Sequence, residues 1–276
     1  MRLSAWHAHP DVWLLFGSLV GAYLVAVRRH HRSSGEPPDR RKVRLFVGGV
    51  LVLWVGADWP IHDLAERYLY SVHMVQHLLF SLVAAPLLLS GLPPWLLRSI
   101  LRPRWLREIV RFATRPIVAL ALFNGVLLFT HWPAIVTLSV HSEWLHFGLH
   151  LAIVASALAM WWPVLSPLPE MPSLPAPGQC LYLFLQSLAP TIPASFLTFG
   201  TRPLYPIYAT FPRIWGIGAL TDQLVAGLIM KLAGGAILWT CIAVIFFRWH
   251  AQEEREGWDP IQWRKLEREM RSEMHG

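Results

Sequence analysis

Residues 70–92 read YSVHMVQHLLFSLVAAPLLLSGL, a mainly apolar run whose first turns carry His73, Met74, Gln76 and His77. On a helix, positions four apart lie one turn above each other. His73 and His77 therefore present two imidazoles to one side, with Met74 beside them. The run has the roughly 20 apolar residues that cross a bilayer. The same arrangement recurs at His146-Phe147-Gly148-Leu149-His150, which opens another apolar run. Two membrane helices, each with a four-spaced histidine pair near one end, can build a four-nitrogen site between them.

Working outward, 54% of the 276 residues are hydrophobic and only 15% are charged, against about 25% charged in soluble domains. That composition excludes a soluble globular chain. Apolar stretches at 11–27, 44–58, 70–92, 116–132, 144–163, 180–200 and 220–247 predict an all-α polytopic membrane protein. The expected architecture is a bundle of seven transmembrane helices over 1–248, followed by a charged tail over 249–276. The first ten residues lack the basic-then-apolar order of a cleavable signal peptide.

The net charge of +7 is concentrated in particular loops. Basic residues crowd 28–44 and 93–115 and return after Arg248, which are the first loop, the third loop and the C-terminal tail of a seven-span chain. By the positive-inside rule these face the cytoplasm, so the N-terminus lies outside; a bacterial plasma membrane is the expected host. Trp95, Trp105, Ile109 and Phe112 alternate with arginines at helical spacing, the pattern of an amphipathic helix on the inner leaflet. The charge thus serves sidedness and lipid phosphates, not nucleic acid. Cys180 and Cys241 are unpaired in sequence and expected to be inert.

On this topology His7, His9, His62, His73, His77, His131, His141, His146 and His150 fall at or just inside the outer face. Polar groups within a membrane are costly and usually face the bundle interior or a cavity. The cluster is open to the outside and shut from the cytoplasm, a metal-site geometry. The candidate ligands are His73, His77, His146 and His150, with Met74 and Met230 secondary. His131, Asp58, His62 and Asp222 are expected as outer partners or an access path, because a ligating imidazole needs a partner for its other nitrogen. Imidazole suits copper, zinc and iron, and a nearby thioether favours Cu(I). A b-type haem held by two facing histidines, in an electron carrier, competes for the same residues. A metal transporter would need polar groups continuing inward, where Lys231, Asn124 and Gln186 are almost alone. Lys231, near the middle of the last span, is expected to face the bundle, where Asn124, Gln186 or a backbone carbonyl receives it. No phosphate loop or nucleophile elbow occurs, so no enzyme is expected.

The segments His73-Met74-Val75-Gln76-His77-Leu78-Leu79, Ala85-Pro86-Leu87-Leu88, Gly91-Leu92-Pro93, Tyr205-Pro206-Ile207-Tyr208 and Asp222-Gln223-Leu224-Val225-Ala226-Gly227-Leu228-Ile229-Met230 resemble the multi-span CtaG family of assembly factors for caa-type cytochrome c oxidases. The resemblance covers about residues 45 to 250. It implies oxidase assembly, a copper chaperone role, copper as the bound ion and oxidase subunits as partners.

A reporter that is active only when exported, fused after Gly276, should be silent. Activity of that fusion would invert the sidedness read from the arginines.

Overall fold

The computed structural model describes residues 9–257; His7 and the tail beyond 257 lie outside the described residues. Every regular element among them is helical. Helix α1 is Pro10–Ser34, α2 is Arg40–Ala57 and α3 is the short Ile61–Arg67. Helix α4, Tyr70–Gly91, carries the first histidine pair. Two short helices follow, α5 Pro94–Ile100 and α6 Arg104–Ala113, then α7 Pro116–Thr130 and α8 Pro133–His141. The second pair lies in α9, Glu143–Leu165. Helix α10, Ala176–Phe199, is interrupted at Pro190, as two prolines in its second half require. After the turn α11, Pro206–Ala209, the last helix α12 runs from Ala219 to Arg255.

Five of these helices are long and apolar enough to cross a membrane, or seven if each bent pair is one span. The bent pairs are α2 with α3, at 42°, and α6 with α7, at 82°. The steep turn leaves α6 crosswise to α7 with Trp105, Ile109 and Phe112 exposed along it. The single amphipathic helix expected from Trp95 to Phe112 is instead divided into α5 and α6 by a break at Leu101-Arg102-Pro103.

The histidine pairs sit where they do because α4 is clamped along its length. Against α2 the contact is made by small residues, which let membrane helices approach closely. A Cβ on Gly49 would lie 2.8 Å from the Leu88 side chain, and the Tyr23 hydroxyl of α1 donates to the Gly91 carbonyl at 2.9 Å. Just past His77, residues Leu79–Ala84 widen into a π-turn. Pro86 explains it: its ring has no N–H to offer and crowds the carbonyl four residues back. The loosened carbonyls find side-chain donors, as they must inside a bilayer. Trp161 Nε1 donates to the Ser81 carbonyl at 2.9 Å, and Ser81 Oγ donates to the His77 carbonyl at 2.6 Å. Beneath the histidines a core including Leu82, Leu89, Phe123, Met160, Trp161 and Leu183 fills the bundle.

The two ends of the bundle are chemically distinct. Residue His9, the α2–α3 bend and the histidine pairs meet at one end. At the other, His30 stacks on Trp95 at 4.0 Å and Arg98 donates to Glu170 at 2.6 Å, among the arginine-rich loops.

One expectation is overturned. Lys231 does not face the bundle; it is exposed, at the edge of a small groove also lined by Gln186 and Thr191. Asn124 and Gln186 instead hydrogen-bond each other at 3.1 and 3.3 Å. A regular helix would place Lys231 on the buried face of Gly227, four residues earlier. The π-turn over Ile229–Ala233 breaks that alignment, which a reading at constant pitch cannot see.

Because the α2–α4 seam has no room for a side chain at Gly49, Gly49→Val should cost about 1–3 kcal/mol by overpacking. The melting temperature of the detergent-solubilised variant would read this loss. An unchanged value would mean the seam is looser than described.

Candidate metal centre

The site is assembled on α4 and α9. Helix α9 begins at Ser142, whose hydroxyl accepts the Leu145 N–H at 3.3 Å, a common N-cap. His146 and His150 follow on its first two turns. Helix α4 has no capping side chain of its own. Its start is held by Asp222 of α12, whose two carboxylate oxygens accept the Tyr70 N–H at 2.7 Å and the Ser71 N–H at 3.0 Å. A buried carboxylate suits the positive end of a helix. The neighbouring Gln223 grips Tyr205 by both backbone groups, accepting its N–H at 3.1 Å and donating to its carbonyl at 3.0 Å. The Tyr205 hydroxyl then donates to the His131 carbonyl at 2.8 Å, and that of Tyr208 to the Ala65 carbonyl at 3.1 Å.

Within this frame His73, His77 and His150 offer one ring nitrogen each, all within 4.8 Å of one another. The His73 and His77 rings lie 4.3 Å apart between centroids, and His150 stands 5.5 Å from His77 and 5.8 Å from His73. His73 Nδ1 and His150 Nε2 are buried and have no hydrogen-bond partner among the described residues. Buried polar atoms are normally paired, so converging lone pairs of this kind are what a metal ion satisfies. A cavity of about 370 Å³ opens beside them, lined by His73, His77, His146, His150 and Glu66 among others.

The fourth predicted ligand is displaced from that set. His146 packs on His150 with centroids 4.2 Å apart, but its Nε2 lies 3.1 Å from Glu66 of α3. His62 Nε2 reaches the same Glu66 oxygen at 3.2 Å. Glu66 was missed from the sequence, although His62 and Glu66 are four apart and share a helix face.

The remaining candidates separate clearly. Met74 and His131 form their own pair, with Met74 Sδ 3.4 Å from His131 Nε2. His131 Nδ1 lies 2.7 Å from the Leu127 carbonyl, an oxygen that only accepts, so Nδ1 carries the proton. Nε2 of the neutral ring is then a lone pair facing the thioether, and the His131 ring stands 5.5 Å from His77. Met230 is packed with Tyr70, Met74, Ala194 and Tyr205 in an apolar cluster. Asp222 is the helix anchor described above, not a partner of the imidazoles. Asp58 is likewise committed elsewhere, accepting from Trp13 Nε1 at 2.7 Å, Trp54 Nε1 at 2.9 Å and the Trp59 N–H at 2.8 Å. It ties α1 to α2. Cys180 and Cys241 are free and lie on α10 and α12, outside the cluster.

Fold and site together describe a multi-pass helical membrane protein with a polyhistidine pocket at one end of the bundle. The family model for the cytochrome c oxidase caa3 assembly factor (Caa3_CtaG) matches residues 21–252, and the chain belongs to that family. No curated protein and no solved structure matches it.

Asp222→Ala removes the carboxylate that accepts the Tyr70 and Ser71 N–H groups at the start of α4, so it should cost about 1–3 kcal/mol. The protein should melt earlier while the α4 variant His73→Ala does not. Equal melting of Asp222→Ala and wild type would contradict the anchoring role.

Proposed function

We propose that the protein binds a copper ion at His73, His77 and His150 and acts as a chaperone that supplies it to cytochrome c oxidase subunits during assembly. The pocket faces the outer side of a bacterial plasma membrane in this reading, with the arginine-rich loops in the cytoplasm. No bond-making chemistry is assigned to it. The observation that carries the reading is the convergence of three largely buried imidazoles, two with unpartnered nitrogens, beside an open cavity. Family membership supports the oxidase as recipient. The adjoining Met74–His131 pair supports copper over zinc, because a thioether and an imidazole facing each other through lone pairs suit Cu(I).

Two other readings have less support. The three rings crowd together, with centroids 4.3 to 5.8 Å apart and His77 edge to face with His150, which favours a single ion over a haem plane between them. A transporter would need a polar route through the lower bundle, and the core there is Leu82, Leu89, Phe123 and Trp161.

Cells carrying His77→Ala or His150→Ala should make oxidase subunits but little active enzyme, and added copper should partly restore it. Copper retention by the purified protein should fall at least tenfold in either variant. It should also fall on acidification, since protons then compete with the metal for the same ring nitrogens. Normal oxidase activity with His73, His77 and His150 all replaced by Ala, the protein still being present in the membrane, would refute the proposal.

A further inference from the structure

We infer a second metal site, formed by His62, Glu66 and His146 and selective for a divalent ion, immediately beside the three-histidine centre. One ligand atom from each of these residues lies within 4.8 Å of the others. The spacing is closer than that limit: Glu66 Oε1 is 3.2 Å from His62 Nε2 and 3.1 Å from His146 Nε2. Donors bound at about 2.0–2.1 Å in a tetrahedral site stand about 3.3 Å apart, so two edges of the polyhedron are already set.

Ordinary ion pairing does not account for the arrangement. His146 is buried, and although its Nε2 lies against Glu66 it makes no hydrogen bond there. Its Nε2 and the Glu66 carboxylate oxygen stand 3.1 Å apart at the cavity that both residues line. Glu66 and His146 both line the large cavity, which leaves a coordination position open to exchange. Two imidazoles and a carboxylate form a harder donor set than three imidazoles beside a thioether. It suits Zn(II) or Cu(II) better than Cu(I).

The surroundings place this site on a path. On its far side, His9 Nε2 lies 3.2 Å from Asp63, and the His9 ring contacts His62 at 5.2 Å. On its near side, the His146 ring is 4.2 Å from His150. Each group shares or touches a ligand of the next, so an ion can pass by ligand exchange without leaving protein donors. The site stands without the copper proposal; its role as the station before the three-histidine centre rests on that reading.

Zinc is the probe, being redox-inert. Full-length protein purified in detergent without added metal, dialysed against Zn²⁺ and measured for metal content, should hold two ions per chain. Glu66→Gln and His62→Ala should each hold one, His150→Ala should hold one, and Glu66→Gln combined with His150→Ala should hold none. A Glu66→Gln variant that holds as many ions as the wild type would overturn the second site. Wild-type protein that holds a single ion, lost in Glu66→Gln and kept in His150→Ala, would count against the copper reading and leave this site standing. If Glu66→Gln fails to accumulate in membranes, the wild-type count and His62→Ala decide the question.

Discussion

An imidazole placed inside a membrane bundle must find a partner for each ring nitrogen, because no water is there to supply one. The histidine end of this protein is organised by that constraint. His131 meets it through the Leu127 carbonyl on one side and faces Met74 on the other. His62 meets it at Nε2 with Glu66 but leaves Nδ1 without a hydrogen-bond partner among the described residues. His73 and His150 leave a buried nitrogen unpartnered, and so does His146. His73, His146 and His150 line one cavity, and that convergence is the basis on which a metal site is proposed.

A specific site must be held rigidly, and the histidine cluster is held by residues outside it. Asp222 fixes the start of the helix that bears His73 and His77, and Gln223 fixes Tyr205, which in turn grips the His131 carbonyl. The Asp222-Gln223 pair and the Tyr205–Tyr208 turn, two of the segments that carry the family resemblance, thus act as scaffolding for the imidazoles. The π-turn below His77 completes the arrangement: it absorbs Pro86 and returns the loosened backbone carbonyls to Trp161 and Ser81.

Much of this was legible in the sequence. Hydropathy alone gave the helical membrane class, and four-residue spacing gave the histidine pairs, because both signals are local. What the sequence withheld depends on helix pitch and on contacts between distant segments. Asp222 looked like an access residue because its partners, the N–H groups of Tyr70 and Ser71, lie some 150 positions away in the chain. Lys231 was turned outward by a π-turn that no periodicity reveals. Glu66 was overlooked because α3 is only seven residues long and bends away from α2, so its face could not be aligned with α9 in advance.

The central claim is that the imidazoles of α4 and α9 hold the ion together. X-ray absorption at the copper edge of the purified, copper-loaded protein tests it most directly. The account predicts outer-atom scattering from three imidazole rings, lost in His73→Ala and His150→Ala. A spectrum with no more than one imidazole around the copper, or a spectrum unchanged by those two substitutions, would contradict it.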